Sequence, residues 1–420
     1  MPTLGAAYAP PITSAAPPPE PRRRPARPLN VLLLTVDALR ADMPWSGYER
    51  QIAPHLTALA KESAVWENHR SVASYTAQSV ATLLSGRLSS TLYRDGYFFT
   101  GYAGENLFFP EVLQRHGIRT MAVHAHLYFG KDKGLDQGFD VWETVPGISF
   151  DAETDTNVTS PKSTARSIDL LSQAENTSRQ FFLWSHYMDP HDQYVAHGES
   201  PDFGKKNRDR YDSEVFFADL WLGKLLDFAR QQPWWEHTAV IITGDHGEAF
   251  GEHGMYKHAF ALWDVLLRVP LIIHVPGANP VRIAPGRTHI DLGPTILDLM
   301  GLDPLEQFAG RSLVPEIYGA LPEAREPLVL ELAEDSHNPG ARAIVLGDHK
   351  LIVPTRGGKP RLFNLADDPG ELVDLVSREP ERLASLLASL RRAFSAVPSI
   401  EPFGGMKLHS GQRARGPERP

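Results

Sequence analysis

Four short stretches of this sequence put carboxylate, imidazole and hydroxyl side chains where a reaction could use them. Leu34-Thr35-Val36-Asp37 is an apolar run ending on Asp37, and in open α/β sheets ligands bind at the C-terminal edge of the strands. An aspartate there also serves as a cap for the next segment. Ile241-Ile242-Thr243-Gly244-Asp245-His246-Gly247-Glu248 repeats the pattern with a carboxylate beside an imidazole, donors that suit a divalent metal. Neighbouring strand residues point to opposite faces, so both reach one ion only where the strand has ended, which Gly244 and Gly247 permit. His258 follows after a loop containing Gly251 and Gly254. A further apolar run, 181–186, leads into His186, Asp189 and His191. His191 is the better functional candidate, because His186 still belongs to the run; either imidazole alone also fits a hydrogen-bonded structural role.

The fourth stretch, Tyr75-Thr76-Ala77-Gln78-Ser79-Val80-Ala81-Thr82-Leu83-Leu84-Ser85-Gly86, has helical apolar spacing in its second half. Thr76 and Ser79 therefore fall near a helix N-terminus, where unpaired amides and the helix dipole favour an anion such as a transferring phosphoryl or sulfuryl group. Thr76 as a plain N-cap is equally consistent with the spacing.

The elements that must carry these residues alternate along the chain. Runs rich in Val, Ile, Leu and Phe at 30–36, 119–124, 181–186, 238–243 and 270–275 have the composition of buried parallel strands. Amphipathic stretches at 54–63, 76–85, 106–116, 163–174, 212–230 and 291–300 separate them, with Gly86, Gly117 and Gly301 at helix C-cap positions. The expected fold is α/β, a doubly wound and mainly parallel sheet. Beyond 322 the pattern changes to strands at 328–331, 343–346, 349–353 and 361–364, a hairpin turn at Arg356-Gly357-Gly358 and a helix at 380–394. The expected organisation is a Pro/Arg-rich tail over 1–28, a catalytic α/β domain over 29–322, a smaller C-terminal antiparallel sheet with a helix over 323–400, and a flexible tail over 401–420.

Composition narrows the function. The 420 residues are 42% hydrophobic and 22% charged with a net charge of −9, an ordinary globular balance that gives no sign of a nucleic-acid partner. There is no cysteine, which removes thiol nucleophiles and thiolate ligands. No run approaches the roughly 20 apolar residues of a transmembrane segment. The first 28 residues lack the apolar core of a secretory signal, a reading that leaves the compartment open and tilts it toward the cytoplasm.

These motifs, in their order, resemble a sulfatase-type member of the alkaline phosphatase superfamily from about Asn30 to about Leu390. Val31 to Asp42 is similar to that family's metal-holding strand, Thr76 to Gly86 to its nucleophile motif, and Gly244 to Glu248 to its Asp-His-Gly-Glu signature. His186 to His191, Gly310-Arg311-Ser312-Leu313 and Leu362 to Glu371 are further matches. The resemblance implies a divalent cation (Mn, Mg, Ca or Zn) held by Asp37, Asp245 and His246, with Thr76 as nucleophile beside it. It implies that His191 and His258 bind substrate or act as acids, and that the substrate is a small-molecule, lipid or glycan ester.

The sequence also departs from that pattern. Formylglycine is made from Cys or Ser, and position 76 is threonine; the motif arginine is replaced by Val80, and the second aspartate of the usual pair by Ala38. A threonine here resembles phosphotransferases that modify lipid A or build lipoteichoic acid. The expectation is therefore a hydrolase or transferase of phosphate or sulfate esters, phosphoesters preferred. A sulfatase without formylglycine and an inactive binding protein are the alternatives.

Overall fold

The computed structural model describes residues 25–146, 158–320, 327–395 and 399–403. Most of the 1–28 tail, much of the 151–160 loop and residues 404–420 lie outside the described residues. Eight strands build the main sheet: β1 (Asn30–Val36), β2 (Ala64–Trp66), β3 (Arg119–His124), β4 (Val141–Thr144), β5 (Phe181–Tyr187), β6 (Thr238–Gly244), β7 (Leu271–His274) and β8 (Val281–Ile283). Their spatial order is β8-β2-β7-β6-β1-β5-β3-β4. β1 pairs in parallel with both β5 and β6, and β3 with β4 and β5. β7 runs antiparallel to β6 and β2, so the sheet is mainly rather than wholly parallel. The three strands not anticipated, β2, β4 and β8, are three or four residues long. A run that short leaves no periodic signal in sequence.

β1 shows why the sheet is covered twice. Val31 and Leu33 join the core on one face, and Leu32, Leu34 and Val36 join the core on the other, because side chains alternate along a strand. The first core takes in α2 (Thr76–Ser85), α3 (Phe109–Arg115) and α6 (Leu292–Leu299). The second takes in α1 (Pro54–Ala60), α4 (Ser160–Ser172) and α5 (Asn207–Arg230). Gly86, Gly117 and Gly301 all have left-handed backbone after a helix, with φ of 61°, 75° and 81°, the conformation glycine adopts without a Cβ penalty. α3 starts three residues later than its apolar spacing suggests, with Pro110 in its first turn and the Phe108 N–H donating to Glu111 Oε1 at 3.1 Å.

A smaller antiparallel sheet follows: β9 (Leu328–Leu332), β10 (Ala341–Leu346), β11 (His349–Pro354) and β12 (Arg361–Asn364). Its alternation is also two-sided. Leu330, Ala343, Val345 and Phe363 join the first main core, whereas Ile344, Leu351 and Leu362 pack on Leu386 and Leu390 of α7 (Pro380–Ser395). The Glu331 N–H donates to Val72 O at 3.0 Å, and Gln78 of α2 makes two 2.8 Å bonds to the backbone of Ala333. The small sheet thus lies against the segment that carries Thr76. Of residues 401–420, the described part ends at Phe403, whose N–H donates to Arg94 O.

Candidate active site

β1 and β6 are neighbours in register, and each ends one residue before an acid: Val36 before Asp37 and Gly244 before Asp245. The two aspartates therefore emerge side by side at the same sheet edge, the outcome expected of parallel strands. Asp245 and His246 both lie beyond the last strand residue, which frees them from facing opposite ways. The turn after Asp37 puts Ala38 at a φ of 55°, a conformation that costs a non-glycine residue about 1–3 kcal/mol and concentrates at functional sites. Tyr211 OH donates to Ala38 O at 2.8 Å, and the Ala38 N–H donates to Asp245 Oδ1 at 3.1 Å. Ala38, standing where the sulfatase pattern has an aspartate, is thereby part of the clamp on the other carboxylate.

One ligand atom from each of Asp37, Asp245 and His246 falls within 4.8 Å of the others, and all three residues are buried. His246 Nε2 lies 3.5 Å from Asp37 Oδ1 and 3.6 Å from Asp245 Oδ2. Those two carboxylate oxygens are buried and accept no hydrogen bond among the described residues. A buried carboxylate oxygen without a donor is costly, and two facing one imidazole nitrogen are what a divalent cation would satisfy. The tautomer agrees: His246 Nδ1–H donates to Gly247 O at 2.9 Å, leaving the Nε2 lone pair toward the two acids. The residues present therefore fit a divalent ion.

Thr76 is the first residue of α2, not its cap; the cap is Tyr75, which makes no side-chain capping bond. The rest of α2 is buried and Thr76 is partly exposed. Thr76 Oγ1 donates to Asp37 Oδ2 at 3.3 Å and lies 3.2 Å from His246 Nε2. His258 stacks at a tilt on His246 with ring centroids 4.3 Å apart, and His191 lies 5.1 Å from His258. Thus the structure brings Thr76, Asp37, Asp245, His246, His258 and His191 into one cluster.

Sequence reasoning ranked His186 below His191, yet His186 touches Asp37 directly. Trp184 Nε1–H donates to Thr35 Oγ1 at 2.8 Å, so the Thr35 hydroxyl donates to His186 Nδ1 at 2.7 Å. His186 Nε2–H is left to donate to Asp37 Oδ2 at 3.2 Å. His186 does lie within β5 and is fully buried, but it reaches the acid from the adjacent strand. The sequence marks Glu248 only as part of the Asp-His-Gly-Glu signature and does not mark His289. Glu248 lies 3.3 Å from His258 Nδ1 and orients that ring. His289 Nδ1 lies 3.1 Å from Ser79 Oγ, which in turn donates to Asp245 O. His289 follows no motif, so nothing in its local sequence marks it.

The site is electrostatically divided. Burial alone would raise Asp37, but the His186 hydrogen bond and the nearby charges of His191 and His246 hold its carboxyl well below the usual range. Burial, with Asp37's charge beside it, pushes Asp245 up to about 6. Burial lowers His246, disfavouring its protonated form.

The mainly parallel α/β fold is shared with known proteins. The family model described as "Sulfatase" matches residues 29–302, and "N-sulphoglucosamine sulphohydrolase, C-terminal" matches residues 251–397. The chain belongs to the sulfatase family. It is 31% identical to choline-sulfatase of Rhizobium meliloti (strain 1021) over 191 residues, covering 44% of this chain and 36% of that protein. It is 24% identical to human iduronate 2-sulfatase, covering 74% of this chain and 76% of that protein. The chain thus spans about a third of the first relative's length. In structure it is similar to phosphonate monoester hydrolase of Silicibacter pomeroyi, with a TM-score of 0.71, 19% identity, and coverage of 88% and 96% of the two chains.

Proposed function

We propose that this protein is a metal-dependent hydrolase of phosphate or related esters that attacks through Thr76. The single observation carrying this reading is that Thr76 Oγ1 sits 3.3 Å from Asp37 and 3.2 Å from His246, beside two donorless carboxylate oxygens. Asp37, Asp245 and His246 would hold a divalent cation. Such an ion, when bound, neutralises the charge of the ester oxygens and lowers the pKa of a nearby hydroxyl.

This chain's residues do the rest. The Thr76 O–H, oriented by Asp37 Oδ2, loses its proton to solvent as Oγ1 forms a bond to phosphorus. The P–O bond to the organic group breaks, and the leaving oxygen takes a proton from His258, whose Nδ1–H is held by Glu248. Water then attacks the threonine phosphoester, returns a proton to His258, and releases phosphate as Thr76 regains its own. His191 binds the ester beside His258, and His186 holds Asp37 in line.

The test is hydrolysis of aryl phosphate mono- and diesters and aryl sulfates by purified protein supplied in turn with Mn, Mg, Zn and Ca. Phosphoester turnover that falls at least a hundredfold in Thr76→Ala is expected, with a phosphoryl adduct of Thr76 visible by mass spectrometry after rapid quench. Cleavage of the sulfate ester alone would overturn the phosphoester preference; the family match and the two sulfatase relatives make that the second reading. A metal-loaded wild type inert on every ester would overturn the enzymatic reading.

A further inference from the structure

Rings line the way into this site. From the metal cluster the centroids step from His246 to His258 (4.3 Å), His191 (5.1 Å), His126 (6.4 Å) and Phe99 (6.3 Å). Phe98 continues the series 5.4 Å from Phe99, and it lies parallel to Tyr75 at 4.8 Å and to Phe260 at 6.1 Å. Phe99 and Phe260 are 39% and 53% exposed, an informative observation when large apolar residues cluster on a surface.

The placement of Phe260 is built, not incidental. Lys257, Ala259 and Phe260 all have positive φ, of 67°, 70° and 61°, and such strain persists only where surrounding contacts over-determine it. The Ala259 N–H donates to Ser74 O at 2.8 Å, and the Phe260 N–H donates to Asn338 Oδ1 at 3.0 Å. Asn338 in turn shares Asp335 Oδ2 with the hydroxyl of Tyr75, each at 2.6 Å. One polar network therefore fixes Phe260, two residues after His258, against Phe98, the ring that stacks on Tyr75.

We infer that Phe98, Phe99 and Phe260 form the surface that receives the organic part of the ester, and that they select a planar apolar group over a small alkyl one. This rests on the hydrolase reading above. Stacking on a preformed aromatic face adds to simple area burial, and a methyl group offers no ring to stack.

The experiment measures competitive binding of phenylphosphonate and methylphosphonate, which cannot be hydrolysed, to the metal-loaded full chain. The wild type is expected to bind the phenyl compound at least tenfold more tightly. In Phe260→Ala combined with Phe99→Ala that preference should fall to about twofold, while methylphosphonate affinity and the thermal midpoint stay within error. An unchanged preference in a folded double variant overturns the inference, as does equal wild-type affinity for both compounds. A protein that keeps the phenyl preference yet hydrolyses no ester would instead overturn the proposed function and leave the aromatic surface standing.

Discussion

At the scale of single residues, proton positions decide what the cluster can do. Gly247 O takes the Nδ1–H of His246, and Thr35 presents its hydroxyl hydrogen to His186, so one imidazole offers a lone pair and the other offers a proton. Asp37 is thereby split: Oδ2 accepts from Thr76 and His186, and Oδ1 is left facing Asp245 and His246. Metal affinity should follow Asp245. Its carboxyl, raised to about 6 in the metal-free protein, must lose its proton before it can ligate, so protons compete with the ion below that pH. Equilibrium dialysis should show affinity falling at least tenfold per pH unit below 6 and levelling above it. A flat profile from pH 4 to 7 would remove Asp245 from the ligand set. Replacing His186 with Phe strips Asp37 of its donor. This should weaken metal binding about 10–100-fold, as losses behind a metal ligand do, with near-normal expression of folded protein.

At the scale of elements, the site depends on where strands stop. Gly247 follows the two predicted ligands at a place where a Cβ would meet Val265 O at 2.2 Å, and the Gly247 N–H donates to Leu266 O. Backbone cannot give way as a side chain can. Gly247→Ala should therefore displace the Asp245-His246 turn, destabilise the fold by about 1–3 kcal/mol in urea, and lower metal affinity more than Gly198→Ala, whose Cβ meets nothing within 4 Å. Equal effects of the two changes would show that crowding at Gly247 is unimportant. The antiparallel β7 belongs to the same scale: it closes against β6 and β2 and leads away from the residues that carry the chemistry.

Across the whole molecule, the two sheets are joined by buried charge. Arg70 holds Asp264 through two bonds of 3.0 and 2.6 Å, and Lys350 of β11 lies 2.9 Å from Asp264 and 2.8 Å from Glu371. Lys350 is fully buried. Removing one member of such a set leaves the others uncompensated, so Lys350→Ala should cost about 3–5 kcal/mol in chemical denaturation. A cost below about 1 kcal/mol would show that the network does not tie the sheets together. Among the described residues no helix is long and apolar enough to cross a membrane.

Much of this was legible in order. The apolar runs ending in Asp37 and Asp245, the helix that begins at Thr76 and the capping glycines are local patterns, and local sequence sets them through side-chain period and turn chemistry. The changed pattern after 322 announced the second sheet for the same reason. Distance between elements is another matter. That β1 lies between β5 and β6, which puts His186 against Asp37, and that Tyr75, Phe98, Phe260 and Asn338 meet beside Thr76, follow from packing between segments up to 263 residues apart in sequence (Tyr75 to Asn338). No period in the chain encodes such contacts. They arise only when both faces of the sheet are buried at once, and so the tertiary structure alone decided which donors each carboxylate keeps and which rings border the site.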